Sequence, residues 1–231
     1  MIDRVFKTAA KSFRLVMLAA TLGVLAGALG DLAGCTLVGA LADRAAPPTV
    51  NAKYVPNKKD SMLVLVESYN QSLDSGIESQ HLALTLGRSL RDEKIATTVD
   101  PQNLERLRDA DPVRYRKMTI DEIGRRVGAR QVLYVHIWRA EIVKPPGSGQ
   151  MRGHLEAIVK IVDAATGDTR WPTDASSEAV QITTDWIPDS SGTTEADLRA
   201  SMADQMAQDI GRLFHDYHPD DEEPTHKIDL D

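Results

Sequence analysis

A chain of 231 residues, 42% hydrophobic and 26% charged, has the apolar content for a folded core, which excludes a disordered polyelectrolyte or a fibrous repeat. Its single cysteine excludes a disulfide framework and a zinc site built on paired cysteines. The net charge of −7, with no clustered basic stripe along the sequence, argues against nucleic acid as a partner.

The first element is a leader. Arg4, Lys7, Lys11 and Arg14 stand against Asp3, and Leu15 to Gly30 then runs for sixteen residues without a charge. That run is shorter than the roughly 20 residues a comfortable membrane span needs and suits the apolar segment of a secretory signal. Asp31 interrupts it, and Leu32-Ala33-Gly34-Cys35 follows. This stretch resembles the lipobox of bacterial lipoprotein signals, which implies cleavage after residue 34, acylation of Cys35 and stable anchoring through two or more acyl chains. Thr36, where an Asp would imply inner-membrane retention, implies the periplasmic face of the outer membrane by the same resemblance. The alternative is an uncleaved N-terminal anchor, built by bridging Asp31 into Leu32 to Leu41. Removing residues 1–34 takes away four basic and two acidic residues, so the remaining 197 residues carry −9.

Residues 35–60 contain three prolines and no sustained periodicity, which predicts a flexible tether behind the lipidated N-terminus. An α/β domain is expected over 61–218 and an acidic, disordered tail, opened by Pro219-Asp220-Asp221-Glu222-Glu223-Pro224, over 219–231.

Within the domain, Met62 to Val66 reads as a buried strand. Asp74 or Ser75 caps a helix whose Leu82, Ala83, Leu86, Gly87 and Leu90 share a face, with Gly87 expected to let that face approach a sheet. Ile95 to Val99 reads as a second strand, and Asp100-Pro101 starts a short helix through Leu104 and Leu107. Thr119-Ile120-Asp121-Glu122 has the capping-box form and opens a helix with Ile120, Ile123 and Val127 on one side, stopped by Gly128. In Gln131 to Val143, Leu133, Val135 and Ile137 alternate with Tyr134, His136 and Trp138. After the turn Pro145-Pro146-Gly147-Ser148-Gly149, a strand alternates Leu155, Ala157, Val159 and Ile161 with His154, Glu156 and Lys160. Asp163 to Gly167 turns into Thr169-Arg170-Trp171, Val180, Ile182 and Thr184 mark a last strand, and Thr194 opens a helix with a stripe of Leu198, Met202, Met206, Ile210 and Leu213/Phe214. The expected architecture is α/β, a single mixed sheet with helices packed on its faces, in the order β-α-β-α-α-β-β-β-α.

The run Met62-Leu63-Val64-Leu65-Val66, the segment Ala96 to Asp100 with Leu104, the stretch Ile123 to Val135 and the hairpin Ile161 to Gly167 occur in an order that resembles a group of envelope lipoproteins. The group comprises the penicillin-binding-protein activator lipoproteins and the curli secretion channel subunit, and the resemblance covers roughly residues 60–216. It implies a small α/β domain that binds another envelope protein, with a peptidoglycan synthase as the partner one branch suggests.

The other branch, a secretion pore, requires strands of about 9 to 11 residues with an unbroken lipid-facing alternation. The strand around 152–162 has the length, but its open face carries Arg152, His154, Glu156 and Lys160, and no spare hairpins remain. For enzymes, the chain has no Gly-x-Ser-x-Gly elbow, no His-Glu-x-x-His and no phosphate-cradling Gly-x-x-x-x-Gly-Lys-Ser/Thr. His136 with Trp138 on one strand and His154 on the next are the candidate polar site, and a hydrolase or metal enzyme using them is the alternative reading. His215-Asp216-Tyr217-His218, with His226, has spacing for a metal but is expected to be a frayed helix end. Trp186, in the loop Trp186-Ile187-Pro188-Asp189, is either a surface residue or a buried sheet-edge tryptophan. The expectation is a lipid-anchored adaptor or regulator with no catalytic residue, cofactor or metal, whose partners are the membrane and an envelope protein.

Overall fold

The computed structural model of the chain describes residues 49–68, 75–173 and 177–219. Leu32, Ala33, Gly34, Cys35, the tether up to residue 48, the Asp74 cap and the acidic tail from Asp220 lie outside them. The elements run β1 (Met62–Ser68), α1 (Ser75–Asp92), α2 (Pro101–Ala110), α3 (Pro112–Tyr115), α4 (Ile120–Arg126), β2 (Gln131–Val143), β3 (Gln150–Asp163), β4 (Thr169–Trp171), β5 (Glu178–Thr183), β6 (Ile187–Pro188) and α5 (Glu195–Arg212). They form one mixed six-stranded sheet with five α-helices packed against it among the described residues.

β1 and β2 are parallel, from Met62↔Gln131 to Ser68↔Ile137, so the chain between them must cross over, and α1 to α4 make that crossover. β2 and β3 are antiparallel, and the far edge of the long β3 is covered in sequence by β4, β5 and β6. One face of the sheet lies under α1 and α5, where Leu82, Leu86, Leu90, Met206 and Ile210 meet Leu133, Val135, Val159 and Ile161 in the main core. The other face carries a smaller core in which Leu63, Leu65, Val132 and Val162 lie with Ile123 and Val127, with Leu104 and Leu107 packed against its rim.

Two helix ends follow their sequence signals. The Thr119 N–H donates to Glu122 Oε2 at 3.1 Å at the start of α4, and at the start of α5 the Asp197 N–H donates to Thr194 Oγ1 at 3.1 Å. The close approaches of helix to sheet fall elsewhere than expected. A Cβ on Gly87 would meet only ordinary contacts at 3.7 and 3.9 Å, whereas one on Gly124 would lie 2.6 Å from Val132 Cγ2 and one on Gly153 2.4 Å from Met202 Sδ. Gly124 seats α4 on β2, and Gly153 seats α5 on β3.

Ile95 to Val99 does not form a strand of the sheet; it meets β1 at the single bridge Met62↔Thr98. The reason is that Ile95 and Ala96 are still closing α1, both donating their N–H groups to Leu90 O, at 2.9 and 3.2 Å. Only Thr97 and Val99 are left to bond Met62, at 2.8 Å each, before Pro101 begins α2.

The described part of the expected tether, residues 49–60, runs along the domain. Val50 and Tyr217 exchange both backbone hydrogen bonds, Lys53 and Tyr54 donate to Leu213 O, and the Ala52 N–H reaches Asp216 Oδ1 at 2.8 Å. Tyr54 packs at 6.1 Å from Trp171, which meets Phe214 edge-on at 5.6 Å. The end of α5, expected to fray, is therefore clasped by a second segment of chain, and the packed domain begins before residue 61. Below the clasp sits a polar knot that no local pattern predicts. Gln131, fully buried, donates from Nε2 to Asn57 O and Asp60 O, each at 3.1 Å. Arg170 donates from Nη1 to Asp60 Oδ2 at 2.9 Å, and from Nη2 and Nε to Asp163 Oδ2 at 2.7 and 3.0 Å.

Candidate binding face

The feature that shapes the candidate site is a bulge in β2. Ile137 pairs with Ala157 and Arg139 pairs with Glu156, so Trp138 is the extra residue. Before it, Leu133, Val135 and Ile137 face the main core; beyond it, Ala140 and Ile142 do. Side chains alternate strictly along a strand, so without the bulge Arg139 and Glu141 would point into the core.

β1 ends opposite Ile137, so the sheet beyond the bulge is an arm of β2, β3 and β5. Cross-strand rows on its open face read Glu67–His136–Ile158, then Arg139–Glu156–Gln181, then Glu141–His154–Thr183. The helices α2 to α4 cover only the Leu65 end of this face. Trp138 is 49% exposed and Trp186 44% exposed, and Arg152 stacks over the Trp186 ring at 5.6 Å. Of the two readings for Trp186, the surface one holds.

The structure does not bring His136 and His154 together, because the Arg139–Glu156 row lies between them. His136 stacks on Tyr134 with ring centroids 6.2 Å apart, and its Nδ1 is buried with no hydrogen bond among the described residues. Tyr134 donates to Glu67 Oε2 at 2.9 Å. Burial, then the Glu67 carboxylate, pushes its hydroxyl well up, so it remains a protonated donor. His154 is held between Glu156 Oε1 and Thr183 Oγ1, the latter at 2.8 Å, and Glu156 also faces Arg139 at 3.6 Å. Glu141 and Glu156 share Arg139 and Glu67 is held by Tyr134, so the strip is a hydrogen-bonded polar surface, with the exposed rings of Trp138 and Trp186 on the same arm.

Among the described residues, no group of three or more His, Cys, Asp or Glu side chains is arranged to hold a metal ion, and His215 Nδ1 lies 3.0 Å from Gly211 O on its own helix end. No helix among the described residues is long and apolar enough to cross a membrane. Arg114, Lys117, Arg125 and Arg126 line one cleft between α3 and α4.

No protein-family model and no curated protein matches the chain. Among solved structures it is similar to the lipoprotein GNA1162 of Neisseria meningitidis, at 14% identity over 65% of this chain and 97% of that one, with a TM-score of 0.41. It is similar to PelC of Paraburkholderia phytofirmans, solved as a dodecamer, at 14% identity over 73% and 97%, TM-score 0.43. It is also similar to a minor lipoprotein of Acinetobacter baumannii, at 11% identity over 65% and 89%, TM-score 0.34. The domain thus has a distant structural similarity to bacterial lipoproteins, and these likenesses assign it to no specific family.

Proposed function

We propose that the chain is a lipid-anchored, non-catalytic adaptor or regulator on the periplasmic face of the outer membrane, binding another envelope protein through the open arm of its sheet. The observation that carries the reading is the pair of exposed tryptophans, Trp138 and Trp186, set among Arg139 and Arg152 on one arm. Aromatic residues and arginine are the types enriched at binding hot spots. The leader and Leu32-Ala33-Gly34-Cys35 supply the anchor, and anchoring raises the effective concentration of a modest binding surface near its target. The sequence resemblance to penicillin-binding-protein activators makes a peptidoglycan synthase the first partner to test. The paired state of His154 and its separation from His136 support binding over hydrolysis.

The test is a photo-crosslinking residue at position 138 in cells, with the adducts recovered from envelopes. The expected result is one envelope protein, a cell-wall synthase, captured at 138 and lost when Trp186→Ala is added. Adducts spread evenly over positions on all faces, or envelopes that yield no cell-wall enzyme, would count against the reading.

A further inference from the structure

The cleft between α3 and α4 is a second feature that the adaptor reading leaves unused. Residues 49–219 contain 21 Lys and Arg against 25 Asp and Glu, a net of −4, yet residues 112–126 contain five basic and two acidic, a net of +3. The cleft holds about 420 Å³ and is lined by Arg114, Lys117, Met118, Glu122, Arg125 and Arg126.

The four cations are not equivalent. Arg125 is spent on the fold: its Nη1 lies 2.7 Å from Asp121 Oδ2 and donates to Ala164 O at 2.7 Å. Arg114, Lys117 and Arg126 have no hydrogen bond or ion pair from their side chains to any described residue. With Glu122, whose Oε2 accepts the Thr119 N–H, as the one acid in the lining that no cation faces, the cleft carries an excess charge of about +2, close to that of a phosphomonoester at neutral pH taken with opposite sign. Like charges held together in a concave wall repel one another and focus a positive field into the space between them. Two guanidinium forks match a phosphate bidentately, and a lysine adds a point charge.

We propose that this cleft binds a phosphomonoester or diphosphate group, with Arg114 and Arg126 as the bidentate donors and Lys117 as the third cation. The phosphate belongs either to a soluble molecule or to a lipid headgroup, and Met118 offers an apolar wall to the attached chain in the second case. Binding here is independent of the open arm of the sheet, which lies beyond the end of the helical cover.

The test titrates the full chain with sodium pyrophosphate, and separately with water-soluble dihexanoyl phosphatidic acid, by calorimetry and by backbone amide shifts. Binding of at least one probe is expected, with shifts centred on residues 114–126. In the variant Arg114→Gln, Lys117→Gln, Arg126→Gln, the affinity is expected to fall at least about tenfold. A variant with the same charge change elsewhere, Lys58→Gln, Arg88→Gln, Lys94→Gln, should stay within about twofold. Pyrophosphate binding alone identifies a soluble source and phosphatidic acid binding alone a headgroup; both together show that the phosphate suffices. The proposal is overturned if neither probe binds, if the control variant loses as much as the cleft variant, or if the wild-type shifts centre on another surface. The shift map needs no variant, so a cleft variant that fails to fold leaves the test intact.

Discussion

Replacing Arg170 with Met removes the centre of the knot that ties residues 57–60 to β2 and the β3–β4 hairpin. The arginine donates three hydrogen bonds to two carboxylates, and the side chains are 26% exposed for Arg170, 11% for Asp60 and 21% for Asp163. Exposed pairs contribute about 0–1 kcal/mol, while breaking a buried pair costs about 3–5 kcal/mol because a charge is stranded. With all three groups under a third exposed, and Arg130 still 3.6 Å from Asp60, the expected loss is about 2–3 kcal/mol, roughly 30- to 150-fold in the unfolding constant. In urea melts at pH 7 the midpoint should fall by about 1–1.5 M with the slope unchanged. A second arm follows from Asp163, whose carboxyl is held below the usual carboxylate range first by its hydrogen bonds from Arg170 and then by the Ala165 N–H. A lowered folded value means the unfolded state binds the proton more readily. Its contribution is therefore complete above the unfolded value of about 3.9 and is lost as pH falls through the folded one. The variant's stability should fall less steeply than the wild type's below about pH 4. A destabilisation under about 1 kcal/mol, or additivity of Arg170→Met with Asp60→Asn in a double-mutant cycle, would refute the reasoning.

Gly124→Ala should destabilise by about 1–3 kcal/mol, since its methyl must displace Val132 or the Ala164 turn, while Gly87→Ala should be neutral or stabilising by up to about 1 kcal/mol; thermal melts of the two order them. Thr194→Ala removes the oxygen that accepts the Asp197 N–H and should cost about 1 kcal/mol, with Thr194→Ser restoring most of it in the same melts. Trp171→Ala empties the site between Tyr54 and Phe214 and should cost about 3–5 kcal/mol, accompanied by faster proteolysis near residues 49–56, read by mass spectrometry. Cys35→Ser should release the chain from the membrane fraction; complete retention there would establish the uncleaved anchor instead.

The elements that sequence reveals here are those whose partners are near in the chain or whose periodicity is strict. The alternation through Leu133, Val135 and Ile137, the stripe from Leu198 to Ile210, the capping box at Thr119 and the helix start at Thr194 are local statements, and each appears in the fold as read. The bulge was also written locally: the apolar positions change from odd at 133, 135 and 137 to even at 140 and 142, a phase shift that strict alternation at Trp138 conceals. Ile95 to Val99 misleads because β propensity says nothing of which N–H groups α1 still needs. The clasp of 49–60 on the end of α5 and the Asp60–Arg170 contact join residues more than a hundred positions apart, beyond any local pattern.

The extra residue at Trp138 divides the labour of one strand. In the arm, Ala140, Ile142 and Leu155 pack into the main core, while Arg139, Glu141, His154 and Glu156 bond one another on the opposite face. Substitutions in the second set leave the packing of the first in place, so the open face can vary without a change in the core. Deleting Trp138 would let Arg139 follow Ile137 in unbroken register, so both sets would keep their faces and the strand would lose only its kink and its exposed ring.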